Sequence, residues 1–283
     1  MNTPRAVPGA AGALGLTSGA WLLLVFCLVV LGPLVGGPAS FAVGAVLAYG
    51  GLGTLTARSV PPPVDARLGL RGMAWRSLPL ILCLLPATLL MSEIDNWLAA
   101  WLGAGASTLA AGHAAAQALG TLGTLQWALF AVGLLPVVEE FFFRGVLLQG
   151  LVAQLGTTRG LLLAAALYAL VQASLGAGDA YQVATRVMTA GFSGLLFGGL
   201  RLACGSLLAP ILLHASMALA GVAATALAAR LPIPGFNTGG GHTPLVWLLP
   251  SLVAVLVGVV WLSREYARQP PPPEPPAPGA SSS

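Results

Sequence analysis

Runs of about twenty apolar residues recur along this chain with almost no charge inside them. A bilayer core about 30 Å thick is crossed by about 20 helical residues. Stretches of that order lie at 20–37, 40–56, 74–91, 126–153, 160–177, 187–203, 205–229 and 244–262. In lipid, only helices or a closed barrel satisfy every backbone polar group, and barrel strands read as short alternating segments instead. The runs therefore predict an all-α polytopic membrane helix bundle with about eight transmembrane helices. Charge points the same way: 7% of the 283 residues are charged, against about 25% in soluble domains. Eight acidic and 12 basic side chains cannot cover a soluble surface of this size. The same scarcity excludes a cytosolic enzyme, a nucleic-acid binder and a disordered chain.

All the basic residues are arginine, and their positions predict orientation. With the N-terminus on one side, that side collects Arg5, Arg58, Arg67, Arg71, Arg76, Arg159, Arg201, Arg264 and Arg268, while the other holds Arg186 and Arg230. Cytoplasmic loops carry the excess of positive charge, so both termini are expected in the cytoplasm. The first run, preceded by Arg5, lacks a clean cleavage pattern and reads as an uncleaved helix. Arginine without lysine, together with abundant Ala and Gly, suggests a GC-rich bacterial source and an inner-membrane location.

Three parts of the chain are predicted: N-terminal helices and an extracytoplasmic segment (1–125), a central core (126–229), and a last span with a proline-rich tail (230–283). The basic, proline-broken 57–73 loop is expected outside the bundle, against the cytoplasmic lipid surface. Residues 92–125 begin with the amphipathic SEIDNW segment, read as an interfacial helix anchored by Trp97 and Trp101. An alternative role for its Glu93, Asp95 and Asn96 is to cap a substrate entrance. The tail QPPPPEPPAPGASSS reads as a polyproline or disordered extension. Cys27, Cys83 and Cys204 stand alone in apolar runs, with no disulfide or thiolate-metal spacing. His113 and His242 read as solvated loop histidines.

Ionisable groups at membrane depth are expensive and mark function by default. One segment concentrates them: Pro136-Val137-Val138-Glu139-Glu140-Phe141-Phe142-Phe143-Arg144-Gly145. On a helix Glu140 and Arg144 share a face, whereas Glu139 sits about 100° away. One carboxylate is thus predicted to be held by the arginine while the other faces a cavity. A mere structural ion pair needs one carboxylate; a second adds repulsion, which suits a general base or acid better. His214 lies inside a later run at comparable depth and is expected in the same cavity. Gln172 lies at similar depth in the run between them; its amide donates hydrogen bonds but takes no proton. The GxxxG spacing in GFSGLLFG is read as a helix-packing signal.

The order EExxxR, then an aromatic-xxx-His span, then a small-residue-rich helix leading into a Hxxx(Asn/Asp) span resembles the CPBP family of intramembrane proteases. That family includes type II CAAX prenyl endopeptidases and bacteriocin-processing or immunity proteins of the Abi group. Glu139, Glu140, Arg144 and the following glycine match its first motif, and His214 matches the histidine of the third. The likeness covers about residues 126–229. Two positions depart: Tyr168-xxx-Gln172 ends in an amide where the family has histidine, and Ala218 stands where it has Asn or Asp.

The resemblance implies hydrolysis of a peptide bond in a membrane-associated protein or peptide by glutamate-activated water. Glu139 is the implied general base, Glu140 and Arg144 set its charge and orientation, and His214 stabilises the oxyanion. Gln172 is left to position the water. Catalytic residues are thus expected to be Glu139, Glu140 and His214, supported by Arg144 and Gln172. No cofactor is expected: HExxH is absent, and two Glu with one His make a poor zinc site. The expected partners are a membrane-anchored substrate (a prenylated protein, a leader peptide or a sorting tail) and the bilayer. Because Gln172 and Ala218 remove one partner from each catalytic pair, a pseudoprotease that binds a membrane peptide without cutting it is the alternative. A proton-coupled transporter using the same buried acids is the third.

Overall fold

The computed structural model describes residues 8–102, 123–175, 179–239 and 241–268. Among them the chain is helical, with no strand and a single isolated bridge between Pro234 and Thr238. Two long helices, α1 (Ala10–Val35) and α2 (Gly37–Ala57), form a hairpin. A short α3 (Val64–Leu68) leads to α4 (Trp75–Leu102), whose turns are interrupted at Leu85-Pro86 because proline has no N–H to continue the ladder. Next come α5 (residues 123–155), α6 (Thr157–Ser174), α7 (Ala180–Cys204), α8 (Leu208–Leu227) and α9 (Leu245–Ala267).

Six of these helices (α1, α2, α4, α7, α8 and α9) are long and apolar enough to cross a membrane. The protein is an all-α, integral membrane bundle. The other two expected runs do form helices, α5 and α6, but they fall outside that group of six. α5 holds the three charges Glu139, Glu140 and Arg144.

Two apolar cores lie side by side. One joins α1, α2, α5 and α6 through Leu24, Tyr49, Phe142, Phe143 and Leu167. The other joins α4, α7, α8 and α9 through Leu84, Phe197, Leu213 and Val255. α6 and α7 share the broadest helix contact, and glycine explains it. A Cβ on Gly194 would lie 3.0 Å from the backbone of Ala165, and one on Gly198 would strike Leu161. The GxxxG spacing thus serves close helix approach, as expected.

Two expectations are corrected. The 57–73 loop is docked on the bundle, not outside it: Val60 and Leu68 bury against Val146, the Leu207 amide donates to the Gly69 carbonyl at 2.8 Å, and Ser206 Oγ donates to the Arg71 carbonyl at 2.6 Å. The SEIDNW segment is no separate interfacial helix but the last turns of α4. Its Trp97 and Trp101 are exposed, while Glu93 and Asp95 are buried in hydrogen bonds. Asp95 accepts from Tyr181 at 2.6 Å and from Thr185 at 2.9 Å, fastening α4 to α7. His242 is an exposed loop residue, as expected, but it has partners: its Nδ1 lies 2.7 Å from Glu93, and its ring is tilted against Trp97 with centroids 4.6 Å apart. His113, most of the 92–125 segment and the proline-rich tail lie outside the described residues. Cys27, Cys83 and Cys204 are unpaired thiols.

Candidate active site

α5 is not one uniform helix. Pro136 cannot donate to the Val132 carbonyl four residues back, and the ladder relaxes into a π-turn over Phe130–Leu134. A short α-helical stretch, Leu135–Glu140, follows, and a second π-turn covers Phe141–Leu147. π-turns inside α-helices widen the ring and re-aim side chains, and they recur at functional sites. Here they bracket the tandem acids.

Glu139 and Glu140 are both fully buried, and each meets a different set of partners. Arg144 Nη1 donates to Glu140 Oε1 at 2.9 Å, one turn along α5. From α8, His214 Nδ1 stands 3.0 Å from that same oxygen. Glu140 therefore bridges guanidinium and imidazole. The aromatic rings complete this arrangement: Phe197 of α7 stacks on His214 with centroids 4.9 Å apart. The Arg144 guanidinium lies 4.3 Å from the Tyr168 ring centroid and 5.2 Å from that of Phe197. A cation over aromatic faces in a dry site is strongly held.

Glu139 faces the other way, towards α6. Tyr168 Oη donates to its Oε2 at 3.1 Å, and Gln172 Nε2 donates to its Oε1 at 3.0 Å. Each carboxylate oxygen has two lone pairs, so each keeps one for another donor. Glu139, Tyr168, Gln172 and His214 all line one cavity of about 560 Å³. Its wall also carries Arg186, with Met91, Trp127 and Leu135 giving it an apolar lining. The cavity sits at the seam of the two cores: Val138 and Tyr168 belong to one, Leu213 and Met217 to the other.

All five sequence-derived site residues, Glu139, Glu140, Arg144, Gln172 and His214, are brought together. The assignment of partners differs from the expected one in two respects. Glu139 is oriented by Tyr168 and Gln172, while Glu140 and Arg144 serve His214. Gln172 spends its amide N–H on Glu139 itself. Ala218, one turn beyond His214, brings no polar group where the family motif has Asn or Asp.

Sequence reasoning missed Tyr168 as an acid-anchoring hydroxyl, although it lies four residues before Gln172 and so shares its helix face. It also placed Arg186 on a membrane surface by counting loops, whereas the fold puts it in the cavity wall. No group of three metal-ligating side chains comes together among the described residues. Two carboxylates and one histidine, with Glu140 Oε1 taken by Arg144 and His214 and Glu139 held by Tyr168 and Gln172, make a poor donor set for a metal such as zinc, and no step is routed through one.

Residues 121–220 match the family model described as Type II CAAX prenyl endopeptidase Rce1-like. That stretch runs from α5 to the middle of α8 and contains every residue of the constellation. No curated protein and no solved structure matches the chain.

Proposed function

We propose that this chain, whose residues 121–220 match the Type II CAAX prenyl endopeptidase Rce1-like family model, is a CPBP-type intramembrane protease that hydrolyses a peptide bond of a membrane-associated protein or peptide with water activated by Glu139. The observation that carries the reading is the division of labour between the two acids. Glu139 is held by two neutral donors and opens on the cavity, while Glu140 is tied to Arg144 and to His214.

A water donating to a free lone pair of Glu139 loses its proton to that carboxylate as its oxygen adds to the substrate carbonyl carbon. The carbonyl π-electrons move to oxygen. With Nδ1–H directed at Glu140, His214 has Nε2 left for the substrate. When the ring carries both protons, Nε2–H donates to the developing oxyanion. When the C–N bond breaks, the proton on Glu139 passes to the leaving amine, and the products are a carboxylate and an amine. Arg144 holds the Glu140 carboxyl group in place. Tyr168 and Gln172 keep Glu139 in the rotamer that faces the water.

Gln172 and Ala218 favour a second reading, a pseudoprotease that retains the cavity to bind a peptide. One experiment separates the two. Purified protein in proteoliposomes is incubated with a panel of membrane-anchored peptides beside its Glu139→Gln variant. Cleavage by the native protein that disappears in the variant supports hydrolysis. Equal background in both, with retained peptide binding, supports the pseudoprotease. Proton flux that depends on Glu139 in the same vesicles would favour the transporter instead.

A further inference from the structure

A second cavity, of about 480 Å³, is lined by Arg144 but by neither acid and takes no part in the proposed hydrolysis. Arg67, Arg144 and Arg201 line it together with the Gly156–Thr157 turn, and no acidic residue does. Leu148, Val152, Ala153 and Leu202 give it an apolar wall, to which Gln149 adds one amide.

Arg201 is the informative group. It is 7% exposed near the C-terminal end of α7, and among the described residues it forms no salt bridge. Its Nη2 donates to the Arg67 carbonyl at 2.9 Å, but its buried Nε has no hydrogen-bond partner. Arg144 Nη2 is also buried without a hydrogen-bond partner, while its Nη1 serves Glu140. A buried cation without an anion is costly, and this pocket has one such cation with a second, exposed arginine beside it.

Gly156 adds a further donor set. It begins α6 with φ 80°, and no side chain caps that helix. The first N–H groups of an uncapped helix, aided by its dipole, are a ready anion site. Guanidinium groups match phosphate oxygens in a fixed fork. The apolar wall suits an acyl chain better than a free solute.

We propose that this pocket binds a phosphate group, carried by an anionic phospholipid headgroup, between Arg67, Arg201 and the N-terminus of α6. The inference does not depend on proteolysis. Because Arg144 lines this cavity and also pairs with Glu140, the bound phosphate would sit against the cation that holds Glu140.

The test is a binding titration of the full chain in neutral detergent. The probes are short-chain phosphatidylglycerol, short-chain phosphatidylcholine and inorganic phosphate, with unfolding temperature recorded in parallel. Arg67→Gln removes an exposed cation while keeping the backbone carbonyl that Arg201 uses, so the variant retains its fold. Saturable phosphatidylglycerol binding that exceeds phosphatidylcholine binding and weakens about five-fold in Arg67→Gln supports the site, as expected for one arginine at an anionic headgroup. Recovery in Arg67→Lys supports it further. Inorganic phosphate that competes at millimolar concentration would identify the phosphate alone as the ligand; failure to compete would assign recognition to the whole lipid. Equal affinity for both lipids, or no change in Arg67→Gln, overturns the proposal. Arg201→Gln provides a second check: a lipid-induced rise in its unfolding temperature equal to the native one also overturns the proposal.

Discussion

Glu139 and Glu140 are adjacent in the chain, yet a 100° step around the helix axis gives them different partners and different work. Glu139 receives two neutral donors, and Glu140 receives two groups that carry or can carry positive charge. Replacing Glu139 by Gln keeps shape and burial but removes the base. Cleavage should fall by about 10²–10⁴-fold, measured as initial rate on a membrane-anchored peptide, with the unfolding temperature little changed. Gln172→His restores a side chain that can share a proton with Glu139, and the same assay should show a gain of about ten-fold or more. A flat response would mean that the amide does not limit turnover. Arg144→Met behaves differently: it leaves Glu140 buried without its guanidinium and should cost about 3–5 kcal/mol of stability, seen as a lower unfolding temperature in detergent even where no substrate is present. The acids, the arginine and the histidine were legible from residue type, spacing and depth alone. So was the Glu140–Arg144 pairing, one turn apart on α5; which acid met His214 and which met Tyr168 and Gln172 was not, because that depends on how α6 and α8 are rotated against α5.

Helices here owe their existence to long apolar runs and their particular shapes to a few residues. Pro136 opens the π-turn before the acids, and Gly194 with Gly198 lets α6 and α7 come close. Gly194→Leu places a side chain against the Ala165 backbone and should destabilise the bundle by about 1–3 kcal/mol through overpacking, again read as a drop in unfolding temperature. Apolar run length located the long helices among the described residues, but it misplaced several ends. α1 starts at Ala10, ten residues before the apolar run reads as a span, and α4 continues through SEIDNW to Leu102. Those turns carry polar residues, which a hydropathy reading assigns to the water. In the fold they are buried by partners distant in the chain: Glu93 accepts from the Thr243 amide at 2.8 Å, and Asn96 donates to the Gly235 carbonyl at 2.8 Å.

At the scale of the molecule, the arginine asymmetry predicts that both ends lie in the cytoplasm. A reporter that is active only in the cytoplasm should therefore function when fused at either end, and an externally active one should not; the reverse pattern would invert the topology. Composition and run length alone determined that this is a helical membrane protein, because lipid leaves the backbone few options. Residue order alone carried the likeness to a membrane protease, because buried charges are too costly to be scattered. Only the tertiary structure decided that Tyr168 and Gln172 hold Glu139, that Arg186 reaches the cavity, and that three arginines with no acid share a second pocket. Those facts come from the rotation and contact of helices far apart in sequence, which packing sets and no local pattern encodes.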